Sequence, residues 1–340
     1  MRGVLNKTFV ICLSALILFL LWIKREPDFS DIELKSTQIM TAAPLHIAAF
    51  SPGSKMLTFA GDKEVVEVRD LGNLSSKILL PQPGEVTALA FSADGQVLAV
   101  GQANHDVRLL RATKWDLINS VSAPGNDAPV TALAFSPQGT SLASGGMDGK
   151  VTLWSTPKFD HKRILGWCSG SVGAVAFATD GLSVAAGCDQ GKLLVWTVTT
   201  GSLKWTQSVT GAVLALGFSF NGRVLASGGE DRAVRFWDTN SGAPNGTLEG
   251  LTGAVTTIAF APGGREFLNG TADGRISVWN LRSIQSAAPL GPHLAPIGAA
   301  KPLIAFRAHQ RSVITLALLQ DRKTLVSLGE DGELKVWERN

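Results

Sequence analysis

The chain has 340 residues, 45% of them hydrophobic, with 36 glycines and 15 prolines, a composition that excludes a disordered protein and describes a globular, turn-rich one. Its formal charge of +3 comes from the start of the chain: Arg2, Lys7, Lys24 and Arg25 precede residue 26 with no acid among them, leaving 27 basic and 28 acidic residues in the rest. A nucleic-acid binder would carry its basic excess on the folded part, so no nucleic-acid partner is expected.

The first element is the uncharged run TFVICLSALILFLLWI, residues 8–23. As a helix it would extend about 24 Å, somewhat short of the roughly 30 Å hydrocarbon core, but the flanking lysines can reach the headgroups and Trp22 suits the interface. A cleaved secretory signal would need small residues soon after the run, and LLWIKREPDFS offers no such pattern. A lipoprotein signal would need a small residue before its cysteine, whereas Cys12 follows Ile11. Residues 1–25 therefore read as an uncleaved signal anchor that meets the membrane through residues 8–23, with residues 26–35 as a linker. Charges on the two flanks do not set the orientation. Many short N-terminal anchors send the following domain across the membrane, so the rest is expected on the periplasmic or luminal side.

From His46 onward the chain repeats. VTALAF stands at Val86–Phe91 and again at Val130–Phe135. HIAAF, VGAVAF, VLALGF, VTTIAF and VITLAL complete a series of seven, whose ends are spaced 41, 44, 42, 41, 42 and 58 residues apart. After each comes a turn such as SADGQ or SFNGR, a second apolar run such as VLASGG, a tight turn, and a third run. Five third runs end at or beside tryptophan: Trp154, Trp196, Trp237, Trp279 and Trp337. Period-two alternation reads as strands, and Asp-Gly or Asn-Gly pairs read as turns. Small sheets of this kind cannot bury both faces alone, and seven stacked around an axis would bury one another's.

From about Ser36 to Asn340 the chain resembles the WD-repeat β-propellers, which implies an all-β, seven-bladed propeller over residues 36–340. The resemblance implies a hydrogen-bonded set within a blade, matched fully in the last repeat by His309, Ser327, Asp331 and Trp337. Turn aspartates recur at Asp62, Asp148, Asp189, Asp231 and Asp273. Arg69 and Leu110 stand where tryptophan would be, and Cys168 takes the histidine place of its repeat. The seventh repeat lacks an outer strand, and Ser36–Pro44 is expected to supply it and close the ring. Its linker would then enter on the face opposite the aspartate turns. The insertion Arg282–Pro302, rich in Pro, Ala and Gly, reads as a loop on that same face, either a contact for a partner or lipid surface or a tolerated insertion.

No Walker loop, GxSxG, HExxH or CxxC is present, and His46, His105, His161, His293 and His309 show no metal spacing. An Asp, Ser and His inside one blade read as bracing rather than as a hydrolase triad. The glycine pairs at Gly145, Gly228 and Gly263 read as turn glycines. Trp115, Trp167 and Trp205 are expected in the outer strands of three successive blades, either packed between the blades or forming a lateral aromatic strip suited to a protein interface. Cys168 and Cys188 read as small buried hydrophobes, or as a disulfide, since both fall near the turn face of the fourth blade. The expectation is a non-enzymatic, membrane-tethered scaffold that docks proteins, without cofactor, metal or small-molecule substrate. The alternative is an assembly subunit of a larger membrane complex, held by its helix and the 282–302 loop.

Overall fold

The computed structural model describes residues 32–339 apart from 41–43, 54, 123–127, 262, 282–300, 320 and 322. The expected membrane segment, residues 26–31 of the linker and nearly all of the insertion lie outside the described residues. Among the described residues no helix is long and apolar enough to cross a membrane. Twenty-eight strands form seven four-stranded antiparallel sheets. The inner strands of consecutive sheets lie side by side, and the last meets the first, so the sheets are blades of a closed propeller. Blades 1 to 6 run Leu45–Pro81, Val86–Ser122, Val130–Trp167, Val172–Ser208, Val213–Leu248 and Val255–Arg307, and blade 7 combines Val313–Arg339 with Ile32–Ile39.

Within a blade the strands differ by what covers them. Second strands such as Ser183–Cys188, Val224–Gly229 and Glu266–Thr271 are buried at every residue, because neighbouring blades cover both faces. Ser183–Cys188 and Val224–Gly229 are accordingly runs of small and apolar residues rather than the alternation expected of a half-buried strand, while Glu266–Thr271 also buries Glu266, Asn269 and Thr271. An outer strand such as Lys162–Trp167 has solvent on one side and is largely exposed.

The blades meet through a repeated fit. Every inner strand begins with a buried valine or leucine: Leu45, Val86, Val130, Val172, Val213, Val255 and Val313. Five of these valines press on a glycine in the second strand of the preceding blade. A Cβ added to Gly101, Gly145, Gly187, Gly228 or Gly270 would come within 2.7 Å of the side chain of Val130, Val172, Val213, Val255 or Val313. Gly145 and Gly228 are thus not turn glycines, as their pairing with a second glycine suggests in sequence. They lie inside strands and stay small because the next blade occupies the space. Gly263 alone of the three sits in a turn, at φ 92°.

A β-bulge follows that valine or leucine in all seven inner strands. The bulged residue is turned toward the next blade's backbone. Thr131 and Thr256 donate hydroxyl hydrogen bonds of 2.7 Å to the carbonyls of Val172 and Val313, and Thr87 donates likewise to Val130. At Gly173 any side chain would collide with the Val213 carbonyl.

The ring closes on blade 7. Ile32–Ile39 pairs antiparallel with its third strand, from Ile32 opposite Arg339 to Ile39 opposite Glu333, and Met40 N–H donates to Gly332 O at 2.8 Å. This outer strand lies earlier than the expected Ser36–Pro44 and takes in residues read as linker. The third strand of blade 7 runs on to Arg339, and the incoming chain pairs along all of it. Because Ile32 lies at the end remote from the Asp331 turn, the chain enters on the face opposite the aspartate turns. Leu57 and Phe59 of blade 1 pack with Val326 and Leu328 of blade 7, so the seam is filled like any other junction.

Gly187→Ala should destabilise the protein by about 1–3 kcal/mol through overpacking, and Val213→Ala in the same chain should recover part of that loss. Denaturant melts of the two single variants and the double variant measure the coupling. A chain beginning at Met40 should expose the Glu333–Arg339 edge and aggregate, which light scattering would read.

Candidate interaction surface

The turns that carry the aspartates form one face of the ring, and its best-defined cluster is in blade 7. His309 sits on the crossover from blade 6 and is 2% exposed. Its Nε2 lies 2.8 Å from Ser327 Oγ and its Nδ1 3.1 Å from Asp331 Oδ1, while Trp337 Nε1 donates to Ser327 Oγ at 3.1 Å. The proton order follows from the donors. Tryptophan can only donate, so Ser327 accepts from it and gives its own proton to Nε2, leaving Nδ1–H to donate to Asp331. Asp331 also accepts the amides of Gln310 and Glu333 at 2.9 and 3.1 Å. Burial holds the His309 pKa below its ordinary value, with Asp331 pulling the other way. The imidazole is therefore a neutral strut. His309, Asp331 and Glu333 stand close enough to share an ion, but both ring nitrogens and both Asp331 oxygens already serve this network.

Other blades keep parts of the set. Trp154, Trp237 and Trp279 donate to Ser144, Ser227 and Asn269 at 2.8, 2.8 and 2.7 Å. The histidine place is taken by Gln82, Cys168, Val209 and Leu251 in blades 2, 4, 5 and 6. The turn aspartates divide into two classes. Asp148, Asp231 and Asp331 are third in a four-residue turn and accept the amide two residues on. Asp273 holds the same place. Burial opposes its ionisation, yet the hydroxyls of Thr252 and Thr271, each 2.5 Å away, keep its carboxyl below the usual range. Asp62 and Asp189 stand one place earlier. The turn hydrogen bond from Gly191 to Cys188 matches that from Gly149 to Gly146, which aligns Asp189 with Met147. Asp62 meets His46 Nε2 at 2.5 Å in an exposed pair. Counting back from the tryptophan place separates the two classes, six residues to Asp148, Asp231, Asp273 and Asp331 but seven to Asp62 and Asp189.

Cys168 and Cys188 are joined as a disulfide. The three tryptophans do not form a strip. Trp205 is buried and donates to Thr239 O of blade 5 at 2.9 Å. Trp115 falls in the turn before its outer strand, at φ 59°, and packs on the junction of blades 1 and 2. Trp167 ends its strand 56% exposed.

On the aspartate-turn face, the second turn place carries exposed or half-exposed acids at Asp62, Asp189, Glu230 and Glu330, and Met147 stands there 60% exposed. On the opposite face, turn tips expose Leu182 and Phe220 at 58% and 64%. A polar groove of about 630 Å³ between blades 3 and 4 is lined by Ser155, Asp160, His161, Lys162 and Arg163. Its Arg163 already donates to Thr199 O at 2.9 Å, and Asp160 accepts from Ser155. These contacts tie neighbouring turns together.

The family model described as WD domain, G-beta repeat matches residues 76–110, 115–155, 201–238, 242–280 and 300–338. Those segments cover more than half of the chain, and the protein belongs to the WD-repeat family. The model passes over the first three strands of blades 1 and 4, the two blades whose turn aspartate stands one place early. A chain from the crystal structure of the mitotic checkpoint complex superimposes with a TM-score of 0.77 at 21% identity, covering 93% of this chain and 94% of that one. At that identity the likeness is one of fold alone. No curated protein matches the sequence.

The state of His309 gives a pH prediction. Its folded pKa lies below the unfolded value of about 6.5, so its contribution is complete above that pH and is lost as pH falls through the folded value. Thermal midpoints measured between about pH 7 and 5 should fall in the native protein and fall less in His309→Gln. Ser327→Ala leaves both Trp337 Nε1 and His309 Nε2 without a partner and should cost about 1–3 kcal/mol at neutral pH, read from denaturant melts.

Proposed function

We propose that this protein is a non-enzymatic scaffold, tethered to a membrane by residues 8–23, that offers the aspartate-turn face of its propeller to partner proteins in an oxidising, extracytoplasmic compartment. The observation that carries this reading is the direction of entry: Ile32 begins its strand on the opposite face. Residues 24–31 can extend about 28 Å, so the anchor would hold the entry face toward the bilayer and leave the aspartate turns outward. That outward face carries Met147 and the four acids of the second turn place. Its buried histidine, serine and tryptophan groups serve bracing, which suits a rigid docking surface better than catalysis. The buried Cys168–Cys188 disulfide supports the compartment, since such bonds persist where thiols are oxidised. The likeness in fold to a chain of the mitotic checkpoint complex supports protein partners. Tethering would raise the local concentration of whatever docks without adding contacts.

Membrane fractionation and protease access test the reading together. The full-length protein with a C-terminal tag should stay in carbonate-washed membranes, and a chain starting at Glu26 should not. Protease added outside sealed, right-side-out cells or spheroplasts should remove the tag. A tag digested only after lysis would place the propeller with cytoplasmic partners. A photo-crosslinker at Met147 should capture a discrete protein in intact membranes, and one at Leu182 should not.

A further inference from the structure

Blade 4 lacks the parts that brace blade 7. The registers of the two blades match, with Val172 opposite Cys188 as Val313 is opposite Gly329. Both turns close with the same hydrogen bond, Gly191 to Cys188 and Gly332 to Gly329. On that alignment Ser327 corresponds to Ala186, Asp331 to Gln190, Gly329 to Cys188 and His309 to Cys168. Trp196 thus faces alanine where Trp337 finds a hydroxyl.

The two remaining places are adjacent in space. In blade 7 a Cβ on Gly329 would stand 2.5 Å from His309 Nδ1. In blade 4 those places carry Cys188 and Cys168, 0% and 7% exposed and bonded to each other. Other blades without the histidine keep a polar tie here: Gln102 donates to Gly84 O in blade 2, Glu230 accepts from Ala212 in blade 5, and Thr252 donates to Asp273 in blade 6. Among the described residues no side-chain hydrogen bond joins residues 168–171 to 188–191. Cys168 N–H also donates to Gly149 O of blade 3 at 2.8 Å, so the crosslink reaches across the junction.

We propose that the Cys168–Cys188 disulfide replaces the hydrogen-bonded brace of blade 4, making the junction of blades 3 and 4 the part of the ring whose rigidity depends on thiol oxidation. The bond forms by exchange with a disulfide donor: the two thiols give up two protons and two electrons, the new S–S bond passes through a mixed disulfide, and the donor leaves as two thiols. A dithiol reductant reverses the step.

The test compares three full-length proteins by thermal midpoint and amide hydrogen exchange. They are the oxidised native chain, Cys168→Ser/Cys188→Ser, and a transplant of the blade 7 pattern, Cys168→His/Ala186→Ser/Cys188→Gly/Gln190→Asp. The serine pair should melt roughly 5–10 °C lower, with exchange at residues 168–171 and 188–191 faster by about tenfold or more and blade 7 unchanged. The transplant should regain most of the midpoint without any thiol in the blade. A serine pair that fails to fold beside a transplant that folds supports the proposal equally. A serine pair that melts like the native chain, exchange that rises evenly around the ring, or a transplant no better than the serine pair would overturn it.

Discussion

Glycine facing valine at the blade junctions is the contact on which the rest of this ring depends. At five junctions the space beside the second-strand glycine is filled by the next blade's valine, so the sheets approach more closely than any side chain would permit. That approach brings the bulged threonines within reach of the neighbouring carbonyls and buries both faces of every second strand. The two junctions around blade 1 are built differently. Leu45 packs with Leu328 on one side, and Val86 with Ala60 on the other. Blade 1 adjoins blade 7, in which the two ends of the chain meet, and it carries Arg69, paired to Glu67, in the tryptophan's place.

The polar residues of the aspartate-turn face follow the same logic of enclosure. Trp337, Ser327, His309 and Asp331 form a one-way chain of donors that leaves no buried proton or lone pair of the histidine unmatched. An unmatched group there would cost about as much as a lost packing contact. This explains why the histidine place tolerates such different residues elsewhere. What the fold requires is that the crossover be fixed to the turn. A carboxylate, an amide, a threonine hydroxyl or a covalent bond each does this in one blade or another.

Much of this was legible in the sequence. The count of seven, the strand order and the closure by a strand from the start of the chain all follow from repeat spacing and from the missing outer strand of the last repeat. The chemistry of blade 7 was legible because all four residue types are present at the family's spacing. What escaped has physical causes. Gly145 and Gly228 look like turn glycines because nothing local distinguishes a glycine needed for backbone freedom from one that yields space to a residue some 27 positions later. Asp62 and Asp189 look like the other turn aspartates because an Asp in a turn of the same length draws the eye, although each stands one place further from the tryptophan position. The bounds of the closing strand depended on how far its partner extends.

That closing strand also decides how the molecule bears load. Ile32 begins that strand on the entry face, the side on which its antiparallel neighbour ends at Arg339. Tension on the start of the chain, directed away from that face, therefore pulls the two strands past each other. The rungs between Ile32 and Ile39 are strained together, as in a lap joint, instead of parting singly from one end. A strand added from the opposite direction would have closed the ring equally well and peeled open under a far smaller pull. A pull on the first strand would thus load every rung of the seam at once.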